Sequence, residues 1–331
     1  MADGAERAGT RVGPLVIVAR VTSWPDPTMI DLGRETLAVY DCGSPAGDSL
    51  GEVVMLHGMA DVARSLEPLA EHLQQRYRVV LFDARGHGRS SHPGAYSVLH
   101  YVADLHRFLD RMEIGHPILI GHSLGGHTVA NYGGLFPERP RALVLLEGLG
   151  PPTTTRPATP EARLAHTRTM IEALGASPRH RPQPDLAAAT ERLLVAHPRL
   201  DPARARLLAE EGTEPGPDGG VVWRHDERTW HWVTSIDQAS LEERWAAITL
   251  PVLAVSGVEA WDTWWTRTRG PAIDREKMSD EEFAQRLAIF ADLHHVELTE
   301  AGHMVHFDRP DRLNQLIDEF LRTRVEPDGR R

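Results

Sequence analysis

The sequence predicts an α/β protein whose mostly parallel central sheet is flanked by helices, and two patterns support this fold class. The first is a set of short segments that are apolar throughout, as expected for strands buried on both faces of a parallel sheet. They are VVMLHG at 53–58, RVVLFD at 78–83, PILIG at 117–121, ALVLLEG at 142–148 and PVLAVSG at 251–257. The second pattern is the alternation of these strands with helical segments, which is typical of repeated βαβ units.

Helical patterns fill intervals between the predicted strands and continue after the last one. These segments are 65–75, 97–112, 125–136, 280–290 and 309–322. Ahead of the first parallel strand, residues 15–21 and 36–40 are expected to form an antiparallel pair that leads into the sheet.

The series of apolar strand segments stops after Glu147 and resumes at Pro251. Helical patterns at 161–174, 185–196 and 201–210 are followed by GTEPGPDGG at 212–220, a composition typical of a linker. We therefore predict a mainly helical insertion. The predicted division is a core of 11–149 and 242–325, an insertion at 150–241, and flexible termini at 1–10 and 326–331.

Charge and cysteine content exclude several classes of protein. With 36 Lys and Arg against 47 Asp and Glu, the net charge of −11 argues against nucleic-acid and anionic-membrane partners. The first residues include acidic side chains where a signal peptide has positive charge, and no segment approaches the roughly 20 apolar residues of a membrane span, so we expect a cytoplasmic protein. The single cysteine, Cys42, excludes an internal disulfide and a cysteine-rich metal site.

The stretch ILIGHSLGG at 118–126 ends a predicted strand with one serine in the motif Gly-x-Ser-x-Gly. Small flanking residues permit a sharp turn into the following helix, which exposes the hydroxyl of Ser123 above the sheet. The amide of Leu124 then points to where an oxyanion would form. This motif favours a nucleophilic serine, provided that another part of the chain supplies a base.

His303 is the expected base. It follows the strand-like segment VELTE and precedes a helix that begins at about Asp308, so it lies in a loop at the carboxyl end of a strand. Sites of open α/β sheets lie at these ends. We expect His306 to lie within the start of that helix.

Four segments together resemble the α/β-hydrolase family across about 50–320: HGM at 57–59, FDARGHGRSS at 82–91, GHSLGG at 121–126 and AGHMVHFDRP at 301–310. The resemblance implies that the amide of Met59 completes the oxyanion hole with that of Leu124, and that 150–241 forms a cap over the serine. Gly58 and His122 are expected at the substrate. His87 is expected to be structural.

The carboxylate that orients His303 is less sharply indicated. The resemblance places an Asp three residues past the glycine of PVLAVSG, but that position is Ala260. Glu259 and Asp262 flank it and would need a shifted loop. Some relatives, such as haloalkane dehalogenases, take the acid from the end of the preceding strand, and Glu147 ends that strand here. We predict Glu147, with Asp262 and Glu259 as alternatives.

Seven of the eight tryptophans lie between 223 and 265. Aromatic side chains over a cleft suit an apolar ligand, so Trp223, Trp261, Trp264 and Trp265 are candidate substrate-binding residues. The alternative is that the tryptophans pack the insertion against the core. The strand-end segment LEGLG and the Arg-rich insertion resemble serine-hydrolase-like members of the family.

These features favour a cofactor-free serine hydrolase that cleaves an ester or lactone of a moderately hydrophobic small molecule. Alternatives on the same scaffold are amide or thioester hydrolysis, a non-hydrolytic reaction such as elimination, C–C cleavage or cofactor-free oxygenation with His303 as base, and a non-catalytic ligand receptor. No metal site is expected, because His294/His295 and His303/His306 lack an acidic partner at a familiar ligand spacing. Apolar surface on the cap is compatible with a homodimer.

Overall fold

A computed structural model describes residues 24–150, 159–174, 182–217, 219–260 and 278–326 of the protein. The strands are β1 Thr28–Asp31, β2 Thr36–Gly43, β3 Glu52–Leu56, β4 Arg78–Phe82, β5 Ile118–His122, β6 Ala142–Leu146, β7 Thr213–Pro215, β8 Val221–Trp223, β9 Val252–Gly257 and β10 Leu293–Leu298. The α-helices are α1 Glu67–Leu73, α2 Val98–Arg111, α3 Leu124–Leu135, α4 Pro160–Leu174, α5 Leu186–Ala196, α6 Pro202–Gly212, α7 Gln238–Ala246, α8 Asp280–Leu287, α9 Val305–Asp308 and α10 Pro310–Phe320.

Eight strands form one twisted sheet in the order β1-β2-β4-β3-β5-β6-β9-β10. The pairs from β4 to β10 are parallel, whereas β2 is antiparallel to both β1 and β4. The mostly parallel sheet flanked by helices is confirmed. The antiparallel pair predicted from 15–21 and 36–40 differs in its first strand. The antiparallel partner of β2 is Thr28–Asp31, and 15–21 lies outside the described residues.

The parallel strands are apolar throughout because both of their faces are covered. Val54 of β3 and Leu119 of β5 belong to one hydrophobic cluster, whereas their neighbours Met55 and Ile120 belong to the cluster on the opposite face. All four side chains are completely buried. Successive residues of a strand point to opposite faces, so each strand supplies apolar side chains to both layers of the core.

Between β6 and β9 the structure describes helices α4 to α6, the two-stranded hairpin of β7 and β8, a 3₁₀ helix at Glu227–Ser235, and α7. The predicted linker at 212–220 is wrong, since β7 and β8 pair there and Gly216 N–H donates to the carbonyl of Gly220. The predicted boundary between 241 and 242 falls within α7. That helix packs against α3 and buries Trp245 in the core cluster of that face.

The carboxyl end of the described chain is attached to the core. A π-helical turn, Leu321–Val325, continues α10. Glu326, expected in a flexible terminus, accepts hydrogen bonds from Arg76 and from the hydroxyl of Tyr77. Within the part of the chain that the structure describes, no helix combines the length and apolar character needed to cross a membrane.

Candidate active site

Ser123 lies at the junction of β5 and α3 in a strained backbone conformation. Its φ of 50° and ψ of −112° lie outside the favourable regions for a residue with a side chain. Its N–H donates to the carbonyl of Leu146 at 2.8 Å, and its hydroxyl makes no capping bond to α3. Along 117–133, all of which the structure describes, Ser123 is the single position that is not fully buried. The turn therefore presents this one hydroxyl.

The glycines around Ser123 allow the backbone to close up at this turn. A Cβ on Gly121 would lie 2.2 Å from the carbonyl oxygen of Gly125, and a Cβ on Gly125 would lie 2.3 Å from that of Leu56. Neither position leaves space for a side chain. The first turn of α3 is thus packed directly on the end of β3, which brings the loop after β3 beside Ser123.

That loop contains the two groups expected at the oxyanion and the substrate. A Cβ on Gly58 would lie 3.3 Å from Cβ of Ser123 and 2.5 Å from Nδ1 of His122, so Gly58 itself borders the serine. Leu124 is the first residue of α3, and amides of a first helical turn have no partner within the helix. Gly58, which borders Ser123, directly precedes Met59, and Ser123 itself directly precedes Leu124. The backbone amides of Met59 and Leu124 are therefore both close to the nucleophile in the chain.

His57 orients the peptide between Gly58 and Met59. Its Nε2 accepts from the N–H of Ala84 at 2.9 Å, so Nδ1 carries the proton and donates to the carbonyl of Gly58 at 2.7 Å. The carbonyl and the following N–H of a trans peptide point in opposite directions. Holding the Gly58 carbonyl on His57 therefore turns the Met59 N–H away from that ring. His87 is similarly engaged with backbone, accepting from Ala60 N–H and donating to the Arg85 carbonyl.

The structure brings Glu147 and His303 together. Glu147 follows β6, His303 lies between β10 and α9, and Oε2 of Glu147 is 3.4 Å from Nδ1 of His303. The other carboxylate oxygen, Oε1, accepts from the N–H of Gly257 at 2.5 Å. Glu147 adopts a positive φ of 53°, which ends the strand. With Nδ1 directed to Glu147, Nε2 of His303 lies on the opposite side of the ring.

The alternative acids are placed differently. Glu259 forms an ion pair of 2.7 Å with Arg199 and is 40% exposed. Asp262 lies outside the described residues, as do Trp261, Trp264 and Trp265. Of the three candidates, Glu147 is thus the one that the described structure pairs with His303.

Burial controls the protonation of the pair. Loss of hydration raises the pKa of Glu147 to about 8, and the Gly257 hydrogen bond opposes part of that shift. Loss of hydration also lowers the pKa of His303 to about 3. His303 is therefore neutral at pH 7, which is the form that can accept a proton.

His122, expected at the substrate, is 2% exposed and positions the His303 loop. Its Nε2 donates to the carbonyl of His303 at 2.9 Å, because a carbonyl can only accept.

Trp223 lies beside Gly212 at the end of α6. Trp232 and Trp245 pack around His127 of α3. For these two tryptophans the structure shows packing against the core, the alternative to substrate binding.

Sequence reasoning missed a group of polar residues that includes His122, the residue before Ser123. One ligand-capable atom from each of Asp61, His122 and His306 lies within 4.8 Å of those of the other two. His306 lies in the short helix α9, which precedes α10, rather than at the start of the helix predicted from about Asp308; the acidic partner that its sequence neighbourhood lacks comes from the loop after β3. Such a group gives no local sequence signal, since its members are far apart in the chain.

The sequence model that describes the alpha/beta hydrolase fold matches residues 52–310, most of the chain. The chain belongs to the α/β-hydrolase fold family. The region matched runs from the first residue of β3 to the first residue of α10, so it includes every candidate catalytic residue.

Two relatives and one structural neighbour with hydrolase names illustrate the similarity. The chain is 27% identical over 285 residues to a serine hydrolase-like protein of Danio rerio, covering 84% of each. It is 27% identical over 230 residues to 2-(acetamidomethylene)succinate hydrolase of Mesorhizobium japonicum, covering 69% of this chain and 76% of the relative. The thioesterase domain from the curacin biosynthetic pathway superposes with a TM-score of 0.72 at 26% identity, covering 89% of this chain and 99% of the domain. These similarities support a hydrolase.

Proposed function

We propose that this protein is a serine hydrolase that cleaves an ester or lactone of a moderately hydrophobic small molecule through an acyl-enzyme intermediate. One observation carries the proposal: the partly exposed, strained Ser123 and the Glu147–His303 pair lie at the same carboxyl edge of the sheet. A nucleophile, a neutral base and an orienting carboxylate are the groups that acyl transfer needs.

In the proposed reaction, Oγ of Ser123 attacks the carbonyl carbon and its proton passes to Nε2 of His303. The Met59 and Leu124 amides stabilise the oxyanion. His303 then gives its proton to the departing alcohol oxygen. A water molecule then attacks the acyl carbon as its proton passes to His303; the bond to Oγ of Ser123 breaks, Oγ takes that proton back from His303, and the acid leaves. Glu147 holds Nδ1 of His303 and stabilises the imidazolium formed in each half of the reaction.

The preference for a moderately hydrophobic substrate is supported by the insertion. Val62, three residues after Met59, packs with Leu200 and Leu208 of the insertion in a separate apolar cluster. Apolar side chains of the insertion therefore pack on the far end of the loop that begins with the proposed oxyanion turn. Such surroundings suit an acyl chain better than a charged group.

The proposal is tested by hydrolysis of p-nitrophenyl esters from acetyl to dodecanoyl. We expect turnover by the wild type, loss of turnover in Ser123→Ala, and no loss in Ser49→Ala. Ser49 is an exposed serine before β3, at the opposite edge of the sheet. Absence of turnover for every ester, or turnover that survives in Ser123→Ala, would contradict ester hydrolysis by this serine.

A thioester is the second candidate substrate, favoured by the similarity to a thioesterase domain. The same acyl-enzyme would form, with a thiol in place of the alcohol as leaving group. Comparing kcat/KM for an ester and a thioester of the same acyl chain separates the two. A thioester preference well above the intrinsic reactivity difference in buffer would favour this second candidate.

A further inference from the structure

Asp61, His122 and His306 form a compact cluster of metal-ligating side chains, called here the Asp61 cluster. His122 and His306 are only 2% and 4% exposed, and their rings are 4.6 Å apart between centroids. None of the three residues has a part in the proposed hydrolysis other than the bond from His122 to the His303 carbonyl.

Polar atoms of the cluster lack the partners that buried polar atoms normally have. Within the described chain, Oδ2 of Asp61, Nδ1 of His122 and both ring nitrogens of His306 are buried without a hydrogen bond. Buried polar atoms in folded proteins nearly always have a partner, so four unpartnered atoms at one place point to a ligand-binding site.

The existing hydrogen bonds leave lone pairs available at the cluster. Because Nε2 of His122 donates to a carbonyl, Nδ1 of its neutral ring carries a lone pair. Oδ1 of Asp61 accepts from the N–H of Val62, which leaves Oδ2. A neutral His306 has one ring nitrogen with a lone pair whichever tautomer it adopts. A cation would satisfy all three residues at once.

We propose that the Asp61 cluster binds one divalent transition-metal ion of the Zn²⁺ class. Two imidazoles and one carboxylate suit Zn²⁺, Ni²⁺ or Cu²⁺ better than Mg²⁺ or Ca²⁺, which prefer oxygen ligands. Small side-chain rotations bring ligand atoms that lie within 4.8 Å of each other to about 2.0–2.2 Å from a shared ion. Three protein ligands leave a position for water.

This site goes beyond the proposed hydrolysis and would regulate it. Asp61 is two residues after Met59, His122 directly precedes Ser123, and His306 is three residues after His303, so the ion would join all three catalytic loops. The rings of His122 and His303 are 5.0 Å apart between centroids. A dication there opposes the positive charge that develops on His303 during turnover, so we expect the ion to slow ester hydrolysis.

The test is titration of the chelator-treated full chain with ZnCl₂, followed by calorimetry, and with CoCl₂, followed by visible absorption. The variants are His306→Phe, which keeps a ring of similar size, and Asp61→Asn, which keeps the shape. The matched control is His72→Phe, since His72 is a half-buried histidine paired with Asp318 outside the cluster. A control is needed because the chain has 18 histidines.

We expect one high-affinity ion per wild-type chain, binding weakened about tenfold or more in both cluster variants, and unchanged binding in His72→Phe. The Co²⁺ absorption bands of a low-symmetry site should appear in the wild type and be lost in the cluster variants. Thermal unfolding identifies any variant that fails to fold, and the other variant then decides. Binding that is absent in the wild type, or equal in all folded variants, would overturn the proposal.

Measurements of ester hydrolysis with and without Zn²⁺ distinguish an error in the proposed metal site from an error in the proposed hydrolase function. Zn²⁺ should reduce ester hydrolysis by the wild type, EDTA should restore it, and the ratio of rates with and without Zn²⁺ should approach one in His306→Phe. If no ester is cleaved, the binding titrations still decide the metal site. If esters are cleaved but Zn²⁺ binding ignores Asp61 and His306, only the metal site is wrong.

Discussion

Helices α3 and α4 are of similar length but have opposite surroundings. Residues 124–133 of α3 are all buried between the sheet and α2 and α7, whereas Leu164 and Ile171 of α4 are more than 60% exposed. The candidate site therefore rests on a helix that is buried along 124–133. Helices α5 and α6 of the insertion, by contrast, contact the core through a small apolar cluster and ion pairs. Substitutions in these two regions should therefore have very different effects.

The largest expected effect concerns the catalytic groups that α3 and the His303 loop position. Ser123→Ala and His303→Ala should each lower kcat by about 10⁵–10⁶-fold, and the double variant should lose no more than either single one. The reason is that nucleophile and base act as one unit. Steady-state and burst kinetics on the best p-nitrophenyl ester measure this. Additive losses would indicate that the two residues act in separate steps.

Glu147→Gln should have the next largest effect, a loss of about 10⁴-fold in kcat, because an amide stabilises the imidazolium poorly and favours the wrong tautomer. Since burial raises the pKa of Glu147 to about 8, ionised Glu147 increases as the pH rises through that value. Wild-type kcat/KM should therefore rise through pH 8, and this rise should be missing in Glu147→Gln.

Glu259→Gln is the matched comparison for that prediction. Its carboxylate pairs with Arg199 at the surface, so we expect a small change in kcat/KM and an unaltered pH profile. A large loss in Glu259→Gln together with a small one in Glu147→Gln would assign the orienting role to Glu259 instead.

On stability, the contrast between α3 and α4 predicts unequal responses to one added atom. Gly125→Ala should lower the free energy of unfolding by about 3 kcal/mol, because its Cβ would lie 2.3 Å from the Leu56 carbonyl oxygen and backbone must move. Ala165→Ser, at an exposed position of α4, should change it by less than about 0.5 kcal/mol. Urea denaturation measures both changes, and equal losses would contradict the expected difference between α3 and α4.

The sequence predicted the constrained region better than the insertion, for physical reasons. Strands buried on both faces must be apolar throughout, so β3 to β6 and β9 stand out in the chain. The edge strand Thr28–Asp31 is mostly exposed and only four residues long, and β7 and β8 have three residues each, so neither leaves a clear periodic signal. The Glu147–His303 pair was predictable because strand ends meet at one edge of a sheet. Asp61 was not, since only the folded loops bring it to His306.

The smallest expected effect concerns the ion pairs that hold the insertion. Arg64 and Glu211 of α6 lie 3.0 Å apart with side chains about one-fifth exposed. A double-mutant cycle with Arg64→Met and Glu211→Gln should give a coupling of about 0.5–1 kcal/mol, which falls as salt is added. The more exposed Arg206–Glu210 pair within α6 is the control, with about 0.3–0.5 kcal/mol expected. A coupling of several kcal/mol at Arg64–Glu211 would mean that α6 is fixed to the core far more firmly than a surface ion pair allows, and weak attachment of α6 could then no longer explain its difference from α3.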